Sequence, residues 1–421
     1  MENPYDELPY NTYPIEWTTP ERLGLASLLH GGPRAPLQGY RVLELGCGDG
    51  GNLLPMAWYR PHASFVGIDG AKTQIDLGNT HATKLGLSNL RLLHADFVEA
   101  AALIEGHFDF IIAHGVFSWV PPSARDALLR LCAKHLSPSG LLYFNYNTKP
   151  GWAVRGMVRE FLLAQTADIE DLRSRAEAAR AVAHALAEGM GEEFDHPYRE
   201  LMRNELAFVR DGHPSYVAHE FLAEHNDAYW RGDLLALMSS HGFDHVADAD
   251  FEFPWGREEP EFTTWLQEQR VHGRGLPDTV DLLRYRQLHS PIFTRSPRTV
   301  REVTADELDE LFFAANLEPN TATTFVHESG AEIEVSDPRL RDTFVELRQQ
   351  WPAGRRVGEF CPPGSEFHED LLLLHRNQLA QLRRVEPIAD PGPDNPLNQL
   401  ELSHSGYRTT PSHEWIQPKK G

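Results

Sequence analysis

Short apolar runs alternate with amphipathic stretches from Tyr40 to Asn147. Arg41–Leu45, Ser64–Ile68, Leu90–His94, Phe108–Ala113 and Leu141–Asn147 read as buried strands. The helix before the last strand opens after Pro121-Pro122 and carries Leu128, Leu129, Cys132 and Leu136 on one face. It is expected to stop at Ser137-Pro138-Ser139-Gly140. This alternation predicts an α/β domain on a parallel sheet. Upstream, Thr19-Pro20-Glu21 is a helix start, which predicts a helix from Pro20 to His30. Downstream, Ala153 to Gly212 is rich in Arg, Glu, Ala and Leu and reads as a helical insertion. The sheet then resumes. Asp233–Ser240 reads as a helix, and His245–Phe251 with Leu288–Arg295 as an antiparallel hairpin that completes the sheet. From Pro297 onward, a capping box at Thr304 and Glu307 predicts a helix to Asn316. Strands around Gly330 follow, then helices over Arg339–Trp351 and His368–Arg384, an order suggesting a small α+β, winged-helix-like module. Ile388–Asn398, rich in Pro and Asp, reads as a linker before a loosely held tail.

The chemistry gathers at the strand ends, where ligands of open α/β sheets bind. After the first strand the chain turns on Gly46, Gly48, Gly50 and Gly51 into a helix near Asn52. Glycines allow positive φ and close approach of a ligand, and a helix N-terminus favours an anion. Gly46, Gly48 and Gly51 fit the dinucleotide pattern G-x-G-x-x-G, a weak signal alone. Glu44 with Gly46, Gly48 and Gly50 spells E-x-G-x-G-x-G, which resembles the first motif of class I S-adenosylmethionine methyltransferases. That resemblance implies that Glu44 holds the methionine ammonium, with Gly46, Cys47, Gly48 and Asn52 beside it. Asp69, ending the second strand, can accept both ribose hydroxyls. Asp96, after the third, can accept the adenine amino group while Phe97 or its neighbour packs on the ring. His114 ends the fourth strand, followed by Gly115, beside the place of the reactive methyl. Either aspartate alone could be a helix N-cap. Both together favour a methyltransferase over an NAD enzyme, which has no standard need for the second.

Longer matches narrow the resemblance. Tyr5–Tyr10, Glu44–Leu53, Ile112–Pro122, Tyr146–Trp152 and Tyr216–Leu222 are similar to bacterial class I methyltransferases carrying a methyltransferase regulatory domain. That group includes the rickettsial protein-lysine methyltransferases that modify outer-membrane proteins. It implies a Rossmann-like seven-stranded sheet, S-adenosyl-L-methionine as cofactor, and a protein or peptide lysine as acceptor. Tyr216, His219 and Glu220 match a motif of the group and become substrate-pocket candidates. The chain departs from the group at Gly70, beside the adenine, and at Lys149, near the substrate mouth.

A lysine acceptor must lose a proton, and an aromatic, desolvating pocket lowers its pKa of about 10.4. Trp119, Tyr146 and Trp152, near the ends of strands four and five, are the candidate walls. His114 is a candidate base or cofactor hydrogen-bonding group; Trp119 and Tyr146 complete the catalytic set. Tyr5, Tyr10, Tyr13 and Trp17 crowd the N-terminal arm, either clamping it or, through Tyr5 and Tyr13, covering the cofactor. Two rivals stay open: a small-molecule N- or O-methyltransferase, and a cofactor-binding regulator without turnover.

Composition changes little of this. With 39 basic and 61 acidic residues the net charge is −22, which disfavours nucleic acid. Three scattered cysteines make neither a disulfide framework nor a zinc site, and His219-Glu220 is not followed by the second histidine of H-E-x-x-H. No metal is expected. An acidic N-terminus and the lack of a long apolar run predict a soluble, cytoplasmic protein without membrane contact. The expected organisation is an arm and helix (1–39), a cofactor-binding core (40–152), a helical insertion (153–214) serving as substrate lid, as homodimer contact or in plain packing, a region completing the sheet (215–296), and a C-terminal module with its tail (297–421).

Overall fold

A computed structural model describes residues 3–10, 12–191, 196–249, 264, 275–296, 301–362, 367–386, 395–400, 408–409 and 415–416. Helix α1 (Pro20–Leu29) precedes a core of β1 (Arg41–Leu45), α2 (Leu53–Tyr59), β2 (Ser64–Asp69), α3 (Lys72–Lys84), β3 (Leu90–His94), α4 (Phe97–Leu103), β4 (Phe108–Ala113), α5 (Pro122–His135) and β5 (Leu136–Phe144). Helices α6 (Gly151–Gln165), α7 (Leu172–Gly189), α8 (Pro197–Arg210) and α9 (Pro214–Phe221) follow β5. Helix α10 (Arg231–Ser240), β6 (Asp244–Asp248), α11 (Leu276–Arg284) and β7 (Pro291–Thr294) finish the sheet.

The sheet has seven strands in the order β3-β2-β1-β4-β5-β7-β6. The first five are parallel, and β7 runs antiparallel to both β5 and β6. Alternation along each strand feeds two cores. Val42, Phe65, Phe110 and Tyr143 face α1, while Leu43, Val66, Ile111 and Phe144 face the other side. Chain reversal occurs between β1 and β4, so the carboxyl ends of these strands frame a crevice.

Strands five and seven differ from expectation in one shared way. Each breaks near Asn145 or Ser290, and beyond the break Tyr146–Asn147 pairs with Leu288–His289 in a separate ribbon that keeps the register of β5 and β7. The segment Ser137–Gly140, expected to end a helix, instead begins β5 behind a register shift at Phe108 and Phe110. The far end of the expected strand His245–Phe251 lies outside the described residues, as do most of the linker Ile388–Asn398 and most of the tail.

The C-terminal region corrects two helices. The one capped by Thr304 spans only Ala305–Asp309, and Phe312–Ala314 turns into a strand between Arg355–Arg356 and Gln381–Arg383. Phe313 and Ala314 are buried there with Phe344, so tertiary packing overrides the helical start. The last helix runs Phe367–Arg376, because Gln378 takes a left-handed φ of 60° and returns the chain as strand Gln381–Arg383. A hairpin of Thr324–Val326 and Glu332–Glu334 and the helix Pro338–Gln350 lie where expected. Phe313, Phe344 and Leu382 join the same apolar core as α1.

Candidate active site

The crevice is a cavity of about 770 Å³. Its wall begins at the turn after β1, where Gly46 and Gly48 have φ of 76° and 55°. A Cβ on Gly46 would meet Val116 at 2.3 Å, so both the dihedral and the space require glycine. The turn is fixed to β2: the N–H groups of Gly46 and Cys47 donate to the Ile68 carbonyl (2.8 and 3.1 Å). The Gly48 N–H donates to Asp69 Oδ2 (2.8 Å), and Asp69 Oδ1 accepts from the Ala71 N–H (2.8 Å). Among the described residues each Asp69 oxygen therefore has one bond made and a second lone pair left.

Glu44 is 3 % exposed at the base of this turn. Its Oε1 accepts from Asn52 Nδ2 at 2.8 Å, while Oε2 is buried with no partner among the described residues. Burial pushes its carboxyl up to about 8, and Asp69 adds to the rise. A buried carboxylate lacking a cation is costly, so the site is built for a positive group. Asn52 also accepts the Ile15 N–H at 3.0 Å, and Thr12 bonds Asp49, which ties the N-terminal arm to the turn.

At the third strand end, Asp96 caps α4. Its Oδ1 accepts the N–H groups of Val98 and Glu99 (both 2.8 Å), and Glu99 completes a capping box. The N-cap role is thus real, but it occupies only one carboxyl oxygen. Phe97, Gly70 and Gly115 line the cavity with it.

His114 lines the cavity, but both ring nitrogens are engaged. The Asn145 amide accepts the Gly115 N–H at Oδ1 (2.6 Å), so its Nδ2 faces His114 Nε2 at 3.3 Å and donates to it. Nδ1 then carries the hydrogen, which it donates to the Tyr143 hydroxyl (2.8 Å). Burial pushes the imidazole down to about 4. A neutral ring with its lone pair taken is no base near neutral pH, which corrects that part of the expectation.

Tyr146 is the second correction. Asn145 and Asn147 line the cavity, so strand alternation turns Tyr146, between them, to the opposite face. It is 2 % exposed, with its ring on His289 at 5.5 Å and near Tyr229 at 6.3 Å. Trp119 and Trp152 do face the cavity, edge to face at 5.5 Å. Arg155 backs them, 5.1 Å over Trp152, held by Glu205 (2.8 Å) and Gln287 (3.2 Å).

The arm closes the remaining side. Tyr5 stacks on His219 at 4.2 Å, and His219 donates from Nε2 to the Leu8 carbonyl at 2.6 Å. The Tyr10 hydroxyl donates to Glu220 Oε1 at 3.3 Å. Tyr5, Tyr13, Tyr216, His219 and Glu220 all line the same cavity as Glu44. Sequence reasoning missed Asn145, Tyr143, Thr12 and Arg155. Only Asn145, a polar residue near the end of the expected strand beside that of His114, carried a signal. Among the described residues no side-chain cluster suits a metal ion, and no helix is long and apolar enough to cross a membrane.

Comparison with known proteins agrees with this geometry. A family described as methyltransferase domain matches residues 42–140. An uncharacterized protein of Rickettsia prowazekii is 31 % identical over 222 residues, covering 53 % of this chain and 88 % of its own. Another from the same organism is 34 % identical over 248 residues, and there the chain spans 44 % of the relative's length. The structure of PKMT2 from Rickettsia typhi in complex with AdoHcy superposes with a TM-score of 0.79 at 21 % identity, covering 97 % of this chain and 86 % of that one. The sheet order, the glycine turn and these matches agree: the chain belongs to the class I S-adenosylmethionine-dependent methyltransferases.

Proposed function

We propose that the chain transfers a methyl group from S-adenosylmethionine to a lysine amine of a protein or peptide. The observation that carries this is one cavity lined both by Glu44, whose Oε2 has no partner among the described residues, and by the aromatic side chains of Trp119, Trp152 and Tyr216 with the Glu220 carboxylate. The likeness to PKMT2 and the motif resemblance support the acceptor class. S-adenosylmethionine supplies a methyl group activated on a sulfonium.

The chain's own residues do the rest. Glu44, oriented by Asn52, holds the methionine ammonium against the turn of Gly46, Cys47 and Gly48. Asp69 uses its remaining lone pairs on the ribose, Asp96 offers Oδ2 to the adenine amino group, and Phe97 and Gly70 border the ring. His114, neutral, braces Asn145 and so sets the Gly115 N–H. The arm, through Tyr5 and Tyr13, excludes water. Trp119 and Trp152 desolvate the acceptor amine, and positioning it about 3–3.5 Å from the methyl carbon is the main catalytic demand.

Glu44 makes cofactor binding proton-linked. With its carboxyl at about 8 in the free protein, it is mostly protonated at pH 7 and must ionise to meet an ammonium. Binding of S-adenosylhomocysteine at pH 7 is expected to release about one proton. Calorimetry in buffers of different ionisation enthalpy measures this, and no buffer dependence would contradict the assignment.

The activity test is labelling. A lysate from a strain lacking the protein is incubated with it and methyl-labelled cofactor. Label on protein lysines with matching S-adenosylhomocysteine is expected. Label confined to small molecules overturns the acceptor, and cofactor binding without any product overturns the enzyme reading in favour of a regulator.

A further inference from the structure

Glu220 sits on α9, half-buried and facing the cavity. Among the described residues no cation forms an ion pair with it. Arg155, whose charge favours the ionised Glu220, is committed to Glu205 and Gln287. Tyr10 donates to its Oε1, and Tyr216 lies one turn earlier on the same face of α9. Tyr5 and Tyr10 pack on the neighbouring His219 at 4.2 and 5.7 Å. Tyr13 comes from the same arm and lines the same space. This is a carboxylate enclosed by phenol rings, the chemistry that selects a cation: the charge pairs with the carboxylate and the ring faces attract it further. A neutral hydroxyl or thiol acceptor would gain little from it.

We infer that Glu220, enclosed by Tyr5, Tyr10, Tyr13 and Tyr216, is the docking site for the protonated acceptor amine and the group that takes its proton before transfer. This rests on the amine-acceptor reading above. In the step, an N–H bond of the ammonium breaks, the proton goes to Glu220, and the nitrogen keeps the electron pair. The nitrogen then bonds the methyl carbon while the carbon–sulfur pair leaves on sulfur, giving a thioether and a methylated ammonium. Glu220 later returns its proton to solvent. Every bond and charge balances with no further reactant.

The surrounding groups leave Glu220 as the one that titrates near neutrality in this box. Burial raises its carboxyl to about 7, with Tyr10 and Arg155 opposing. Burial raises Tyr5, Tyr10, Tyr13 and Tyr216, which stay phenols, and lowers His219, which stays neutral. A raised carboxyl is a competent proton acceptor only above its own value, so the rate should climb through about pH 7.

The test uses Glu220→Gln and Tyr10→Phe in the full chain, with S-adenosylhomocysteine affinity as the control for folding. Butylammonium is the amine probe and butanol its neutral match, both titrated by calorimetry into protein loaded with S-adenosylhomocysteine. Butylammonium should bind Glu220→Gln at least roughly tenfold more weakly, with butanol unchanged. At saturating cofactor, where Glu44 is held ionised, kcat of Glu220→Gln should fall on the order of 10²-fold and lose the rise near pH 7. Tyr10→Phe should move that rise to higher pH, since the hydroxyl stabilises the carboxylate. Unchanged butylammonium affinity and an unchanged pH profile in Glu220→Gln would overturn the proposal. If protein lysines are labelled at the wild-type rate by Glu220→Gln, the box fails while the acceptor reading stands. If butylammonium binds in a Glu220-dependent way but no protein amine is labelled, the box stands and the acceptor reading fails.

Discussion

Glu44→Gln should bind S-adenosylhomocysteine about 10- to 100-fold more weakly than the wild type while folding as well or better. The loss follows from replacing a charge-assisted bond to the ligand's ammonium, worth about 1.5–3 kcal/mol, by a neutral one. The preserved fold follows from the free protein. Glutamine keeps the acceptor for Asn52 Nδ2, and it resembles the protonated carboxyl that burial favours. The pH dependence has a definite sign. A carboxyl whose folded value is raised to about 8 costs stability as pH rises from the unfolded value through 8, because folding then has to bury a charge or bind a proton. Glu44→Gln removes that cost, so its melting temperature should exceed the wild type's most clearly above pH 8. The same variant should abolish the proton release on binding. Thermal melts from pH 6 to 9 and calorimetry at pH 7 check both halves. Unchanged affinity would place the ammonium elsewhere.

Much of this site could be read from the chain because strand ends in an α/β sheet are marked twice, by periodicity and by the turn that follows. Glu44, Asp69, Asp96 and His114 each close an apolar run, and the sheet order brings those ends together. The roles of side chains were less legible than their positions. His114 at the strand end could be a base or a hydrogen-bonding group for the cofactor, but two partners from β5 and its extension, Tyr143 and Asn145, occupy its nitrogens. No local pattern reports such a cross-strand pairing. Tyr146 was misplaced for a simpler reason. The ribbon with Leu288–His289 keeps the register of the strand, so alternation carries Tyr146 to the buried face of Leu142 and Phe144, and nearness to the strand end did not decide which face it takes. The arm was legible as aromatic, with clamp and cofactor cover both left open, since its bonds to Asn52, Asp49, Thr73 and Ser215 join residues far apart in sequence. In the C-terminal region, Thr304 and Glu307 make a genuine capping box, yet the helix they open is cut short by the burial of Phe313. Local signals name how an element starts; long-range packing decides where it stops.

Two mid-helix glycines should respond oppositely to the same substitution. Gly78 in α3 and Gly156 in α6 both have ordinary backbone, and by helix propensity alone alanine would stabilise either by about 0.8–1 kcal/mol. For Gly156 nothing lies within 4 Å of an added Cβ, so Gly156→Ala should realise that gain. At Gly78 the added Cβ would stand 2.4 Å from the Asp49 carbonyl oxygen, 2.9 Å from its carbon and 2.5 Å from Leu92 Cδ1. Leu92 can rotate, but the Asp49 carbonyl is backbone and cannot swing aside. That backbone belongs to the cofactor turn, fixed to β2 through Gly46, Cys47 and Gly48. Either α3 lifts from the turn or the turn shifts, at an overpacking cost of about 1–3 kcal/mol that exceeds the propensity gain. Gly78→Ala should therefore lower the melting temperature and weaken S-adenosylhomocysteine binding together, because one displacement causes both. Gly78→Val should magnify both effects, while Gly156→Ala should raise the melting temperature and leave binding untouched. Gly78→Ala with raised stability and wild-type affinity would show that α3 can move off the turn freely, and the turn's geometry would then not depend on this contact.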